Sequence, residues 1–210
     1  EGNSIRVGNC VFKPIENPER YAWASDLLLQ LNPRDHRTHR PIRTLAGDFV
    51  FNGWGASRYE AGDPVAGRWE EKLQVCRSFH AELTQLQPSP MPLSTDHWSQ
   101  AQDIAWQREG LPASINQEIS AVIRTLFDHY ETMSRSERII HSDICGNILF
   151  AEDKSPCVID FSPAYGSPQY AEAVLVADAI AWENAPLELV DELSNTKDYR
   201  QLLLRAVNFR

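Results

Sequence analysis

The sequence has no apolar run of the length needed to cross a membrane, and it does not open on the charged, apolar and small-residue succession of a secretory signal. It is short of basic residues: 20 Lys and Arg stand against 29 Asp and Glu, for a net charge of -9 and a pI near 5.1. That deficit argues against general nucleic-acid binding, which needs a basic surface. The four cysteines, Cys10, Cys76, Cys145 and Cys157, form no Cys-x-x-Cys pair and have no histidine at zinc spacing. A reduced, cytoplasmic chain is the expectation. There is no internal repeat and no low-complexity tract. What remains is an ordinary globular composition, 42% hydrophobic and 10% aromatic over 210 residues. That is enough for one domain, or for two small lobes sharing a cleft.

Residues 139–161, IIHSDICGNILFAEDKSPCVIDF, carry the densest chemistry. Apolar runs alternating with polar segments predict strand, loop, strand, turn, strand. His141 and Asp143 follow the first run. Asn147 opens the second, Ile148-Leu149-Phe150, and Asp160-Phe161 ends the third, Cys157-Val158-Ile159. Kinase-type phosphoryl transfer uses one carboxylate to orient the attacking hydroxyl and accept its proton. It uses an amide and a second carboxylate to hold magnesium on the nucleotide. Asp143, Asn147 and Asp160 are those residue types in that order. An isolated His-x-Asp arises by chance, and an Asp closing a strand is common turn chemistry, so the joint pattern carries the reading. His141 is expected to support the loop by hydrogen bonding. Cys145, inside the loop, is expected to pack.

At these residues the chain resembles the aminoglycoside phosphotransferase and choline-kinase-like branch of the protein-kinase-like fold. That family reads HGDxxxxN, then a strand and IDF or IDW; this chain reads HSDICGN and VIDF. The interval from Asp143 to Asn147 is one residue shorter than the family's. The resemblance implies an α+β, two-lobed kinase-like fold with a reduced N-terminal sheet lobe (residues 1–56), a hinge (57–64) and a mainly helical C-terminal lobe with the catalytic loop (65–210). It implies ATP and Mg²⁺ as cofactors, Asp143 as the catalytic base, and Asn147 and Asp160 as metal ligands. Lys13, on the strand before the first helix, would meet the nucleotide phosphates, braced by an acid on that helix. Glu19 and Asp26, seven residues apart and so on one face, are the candidates. The glycine-rich phosphate loop that precedes this strand in the family is expected to be missing, with only Glu1-Gly2-Asn3-Ser4 to stand for its tail. Where the family reads PxYDLA this chain has Ala171 in place of the aspartate, and Asp178 is the candidate substitute.

Elsewhere, residues 4–15 predict a hairpin around Gly8-Asn9, and Pro18 starts a helix. Segments 41–43 and 49–51, around Ala46-Gly47-Asp48, predict a second hairpin. Residues 54–64 read as a linker whose backbone would meet an adenine ring. Helices are expected over 68–86, 98–108, 169–182, 186–193 and 199–207, that over 169–182 being a buried one. A long amphipathic helix over 114–133, capped by Ser114 with Gln117, is expected to lie under the catalytic loop as the core helix. His80 is assigned no catalytic role.

The function these expectations support is ATP- and Mg²⁺-dependent phosphorylation of a hydroxyl on a small molecule, with the acidic balance mildly favouring a cationic one. A protein substrate is disfavoured, because no APE-like anchor follows Asp160-Phe161. The alternatives are a nucleotide-binding module without turnover and, more weakly, a metal-dependent hydrolase using Asp143 and Asp160, which lacks the further ligands of a two-metal site.

Overall fold

The computed structural model describes residues 3–192 and 198–210. The chain is α+β. A five-stranded antiparallel sheet comes first, made of β1 (Ile5–Val7), β2 (Cys10–Pro14), β4 (Pro41–Ile42), β5 (Val50–Phe51) and β6 (Trp54–Arg58). Helix α1 (Pro18–Gln30) packs on it. β1 and β2 form the expected hairpin, with Val7 opposite Cys10 and Gly8 at φ 59° supplying the left-handed turn residue. Helix α1 starts where Asn17 caps the backbone N–H of Arg20 at 3.0 Å and Pro18 takes the first helical position.

Two expectations about this sheet need correction. Segments 41–43 and 49–51 do not pair with each other. β4 and β5 lie end to end along one edge of β6, Pro41 opposite Ser57 and Val50 opposite Gly55. The hairpin is instead β5–β6, turned by Asn52 (φ 49°) and Gly53 (φ 79°), an Asn-Gly dipeptide whose two positive φ angles suit a type I′ turn. Residues 54–58, read as linker, are therefore the central strand, paired on its other edge with β2 so that Lys13 faces Gly55. The connection out of the sheet is residues 59–62.

The second half is built on helices. α2 (Trp69–Leu83), α5 (Pro168–Glu183) and α6 (Tyr199–Phe209) pack together, with α3 (His97–Ala105) against α6. Every residue from Tyr170 to Ala179 is buried. A helix apolar all round, AEAVLVADAIA, can only sit inside, and α5 is the core helix. The helix expected in that place is shorter and lies outside: α4 (Gln117–Phe127) buries none of its residues, with Ile119 54% and Val122 62% exposed. Its cap is Asn116, whose side chain accepts from Glu118 N at 2.7 Å, in place of Ser114. After α5, a 3-10 turn covers Leu187–Glu192; Leu193, the last residue expected in that helix, lies outside the described residues, as do Glu1 and Gly2.

Between these halves runs a four-stranded sheet in the order β3 (Arg37–Thr38), β10 (Lys154–Val158), β9 (Ile148–Ala151), β7 (Asp63–Pro64). A two-stranded pair, β8 (Ile139–His141) with β11 (Pro163–Tyr165), lies beside it in the chain's catalytic segment. β3 lies between α1 and β4, and β7 follows the connection out of the first sheet, so the first half of the chain is paired to both edges of the β9–β10 hairpin. Cys10, Cys76, Cys145 and Cys157 are free thiols. Among the described residues no helix is long and apolar enough to cross a membrane.

Candidate active site

β8 delivers His141, a tight loop carries residues 142–147, and β9 and β10 return the chain to Asp160. His141 is fully buried and holds this loop from inside. Its Nδ1 accepts from the backbone N–H of Asp143 at 3.2 Å and of Ser162 at 3.5 Å, and its Nε2–H donates to Ile159 O at 3.2 Å. The backbone N–H of His141 in turn donates to His80 Nε2 at 3.0 Å, while His80 Nδ1–H donates to Cys76 O at 2.7 Å. Burial pushes both imidazoles down to about 4, so both are neutral at pH 7 and neither is set up to shuttle protons. Phe79 meets His80, His141 and Phe161 edge-on at 5.5–6.1 Å, which fixes the loop to α2. His80 is a brace of the 142–147 loop, a role the sequence did not announce.

Asn147 turns its amide nitrogen inward, donating to Asp143 O at 2.6 Å and Asp143 Oδ2 at 3.1 Å. Its amide oxygen is therefore the atom able to ligate. Asp160 follows β10 in the left-handed region, φ 47°, a conformation Asp tolerates better than most residues. Its carboxylate forms an ion pair with Lys13 Nζ. Burial pushes this carboxyl up, but Lys13 and, less strongly, His141 and His39 outweigh it and hold it below its ordinary range.

The partner of Lys13 is thus Asp160, and neither expected acid meets it. Asp26 pairs with Arg43, and Glu19 stands exposed in the first turn of α1. Both lie on the solvent face of the helix. The face turned to the sheet carries Tyr21 and the buried Ser25. The Tyr21 ring lies over Gly55 so closely that a Cβ there would come within 2.6 Å of it.

Asp143 has a second set of partners that the sequence did not announce. Arg210 bridges Asp143 Oδ1 and Asp178, giving its Nε and Nη2 to the two oxygens of Asp178. Asp178 is 3% exposed. Burial raises its carboxyl, which Arg210 offsets only in part. The guanidinium also lies 5.4 Å from the Trp98 ring centroid and 5.3 Å from that of Phe209. Asp178 does reach the catalytic loop in the absence of an acid at 171, through Arg210. Cys145 is buried, and burial pushes its thiol up to about 12, which suits packing and not nucleophilic chemistry.

Two cavities share this loop in their walls. One, of about 250 Å³, is lined by Lys13, Asn147 and Asp160 at one end and by Val11, Leu149, Ile159 and the connection residues Tyr59, Glu60 and Gly62 at the other. Gly62, at φ 132°, brings the connection so close to β9 that a Cβ would come within 2.8 Å of Phe150 O. Arg37 pins the same stretch, pairing with Glu60 and donating to Ala61 O at 3.2 Å. The other cavity, of about 180 Å³, contains Asp143, Ser142, Ser162, Arg20, Asp96, Trp98 and Arg210. Among the described residues no three His, Cys, Asp or Glu side chains gather as a metal cluster. Asn147 and Asp160 supply one neutral and one anionic oxygen. That pair suits Mg²⁺ held mostly by water and substrate phosphates, and it falls short of the two-metal site a hydrolase would need.

Compared by sequence, the chain matches no protein-family model and no curated protein. Compared by structure, it resembles a thermostable variant of aminoglycoside phosphotransferase APH(4)-Ia without ligand (18% identity, 98% of this chain and 82% of that one, TM-score 0.66). It resembles a ternary complex of the same enzyme with AMP-PNP and hygromycin B (17%, 98% and 81%, 0.65). It also resembles amicoumacin kinase hAmiN in complex with AMP-PNP, Ca²⁺ and Ami (13%, 96% and 65%, 0.61). The chain has the protein-kinase-like fold in the form taken by aminoglycoside phosphotransferases.

Proposed function

We propose that this chain transfers the γ-phosphoryl group of Mg²⁺-bound ATP to a hydroxyl of a small molecule. One observation carries the proposal: the loop of residues 142–147 contributes to two cavities, with Lys13, Asn147 and Asp160 lining one and Asp143 lining the other. That is the division a kinase needs between nucleotide and acceptor. The structural neighbours support it, since APH(4)-Ia holds AMP-PNP together with hygromycin B.

Val11, Leu149 and Ile159 offer the adenine ring apolar walls, and the 59–62 connection offers backbone polar groups along its edge. Lys13 meets phosphate oxygens. Asn147 Oδ1 and Asp160 would hold Mg²⁺, which would supply neutralisation of the phosphate charge. Asp143 accepts a hydrogen bond from the acceptor hydroxyl and takes its proton late in transfer. The bond from the acceptor oxygen to the γ-phosphorus forms as the bond from that phosphorus to the β,γ-bridging oxygen breaks, and ADP leaves with the electron pair. Arg210 and Asn147 orient Asp143 throughout.

A second reading, a nucleotide-binding module without turnover, is favoured by one feature: each carboxylate already carries a cation of the chain, Lys13 on Asp160 and Arg210 on Asp143. Calorimetric titration with ATP, with and without Mg²⁺, followed by ADP release in the presence of hydroxyl compounds, separates the readings. Magnesium-dependent binding with turnover that Asp143→Ala abolishes supports the kinase. Binding without turnover for any acceptor supports the module, and no binding refutes both.

A further inference from the structure

The acceptor cavity holds two guanidiniums and two carboxylates. Arg210 is matched by Asp143 and Asp178. Asp96 is engaged as the cap of α3, accepting from Ser99 N–H at 2.7 Å and Ser94 Oγ at 2.6 Å, in the favourable field of that helix end. Arg20 has no such match. Its Nη1 and Nη2 donate to the carbonyls of Pro92 at 3.1 Å and Pro163 at 2.6 Å. Among the described residues no carboxylate reaches it within 4 Å. Burial lowers its basicity more than the more distant Asp96 restores it. A half-buried guanidinium held only by neutral carbonyls keeps its charge available, and a carboxylate is its natural bidentate partner. Arg210 Nη1, on the far side of Asp143, also has no acceptor among the described residues. The cavity, about 180 Å³, is smaller than the roughly 300–1,000 Å³ that encloses a drug-sized ligand. Trp98, 62% exposed, offers a ring or chain an apolar face.

We infer that the acceptor is a small hydroxy acid, of one sugar unit or less, whose hydroxyl stands at Asp143 and whose carboxylate lies on the Arg20 guanidinium. The inference rests on the phosphotransferase reading for the place of the hydroxyl. It also reverses the cationic acceptor that the net charge of the whole chain favours. A net charge of -9 is spread over the surface and screened within about 10 Å, whereas the cavity is governed by the groups that line it.

The test is calorimetric titration of the full chain, first with AMP-PNP and Mg²⁺ and then, at matched ionic strength, with D-gluconate, D-glycerate, D-glucose and D-glucosamine. The first titration reads the phosphotransferase assumption by itself. In the second, at least one acid is expected to bind roughly tenfold to a hundredfold more tightly than the amino sugar and the neutral sugar, the worth of a charge-assisted contact. Arg20→Gln should abolish that preference, Arg20→Lys should keep part of it, and neither should change AMP-PNP affinity. Because Arg20 also fastens α1 to the loop at Pro92 and to β11 at Pro163, loss of binding in Arg20→Gln is read together with Arg20→Lys, in which retention separates charge from fastening. The unsubstituted chain decides the question in any case. Glucosamine binding as tightly as the acids, or no acid binding at millimolar concentration, overturns the inference.

Discussion

Removing the Arg210 side chain should expose how the molecule holds the Asp143 carboxylate. In Arg210→Ala, Asp178 loses both bonds to its carboxylate, and Asp143 loses one. The Arg210 and Asp178 side chains are 12% and 4% exposed, so the variant leaves an almost buried carboxylate alone. Breaking a buried ion pair from one side costs about 3–5 kcal/mol. The lower end applies here, because Asp143 is open enough to be re-solvated and Asp178 can take up a proton. We therefore expect a loss of about 3 kcal/mol near pH 7.5. The pH dependence has a defined sign. Burial already raises Asp178 with Arg210 present and should raise it further without it. An acid whose folded pKa lies above its unfolded one binds its proton more tightly when folded, so the penalty is full above the folded pKa and fades toward the ordinary carboxylate range. Urea unfolding followed by tryptophan fluorescence should thus show the difference between the two proteins shrinking from pH 7.5 to pH 5. Asp178→Asn should remove most of the added cost of Arg210→Ala, giving a coupling of about 2 kcal/mol in the double-mutant cycle. A loss below about 1 kcal/mol, or one that is equal at both pH values, would refute the clamp.

Three further outcomes follow from the site. Asp160→Asn should cost Mg²⁺-dependent ATP binding about a hundredfold or more, while Asp143→Asn leaves that affinity within about threefold and removes turnover, because only Asp160 faces the nucleotide cavity; equal effects on binding would contradict the division. Gly55→Ala should weaken ATP binding by roughly tenfold, since the added methyl must displace the Tyr21 ring toward the cavity it lines; an unchanged affinity in titration calorimetry would show that the ring moves elsewhere. His80 and His141, buried neutral with pKa values pushed down to about 4, should make the fold acid-labile. Their contribution is full above the ordinary histidine range near pH 6.5 and is lost as pH falls toward 4, at up to about 1.4 kcal/mol per pH unit for each, so a urea midpoint unchanged between pH 7 and pH 5 would count against it.

The parts of the site that lie close together in sequence were readable, and those assembled across it were not. Residues 139–161 declare His141, Asp143, Asn147 and Asp160 because one loop and one hairpin bring them together, and local patterning suffices for that. Lys13 is legible as a strand residue before a helix, but its partner is not. The expectation of an acid on α1 assumed that charge must be balanced nearby, and Glu19 and Asp26 satisfy that rule in sequence while facing solvent in space. Asp160, 147 residues away, does the balancing. Arg210 is further still from prediction: an arginine after an amphipathic helix has no pattern, and only a charged Asp178 within an otherwise largely apolar helix hints that a cation must come to meet it.

The same contrast explains why the 114–133 helix was expected at the core, although 169–182 was already read as buried. Amphipathic periodicity is strongest in α4 and nearly absent in α5, and a rule that seeks one apolar face selects α4 for the core. Yet a helix with one apolar stripe needs one partner, whereas a helix that is apolar on every side must be surrounded. With α5 packed against α2, α6 and β8, its polar positions become the informative ones. Asp178 meets Arg210, Glu172 meets Arg77, and Glu183, at its end, meets the buried Lys72. Each charge on the core helix is answered by a cation from another element, and one of those answers extends to Asp143. The 142–147 loop is therefore anchored in the core helix, where Asp178 was legible in the sequence as the substitute for an acid at 171 while the arginine that carries its reach to Asp143 was not.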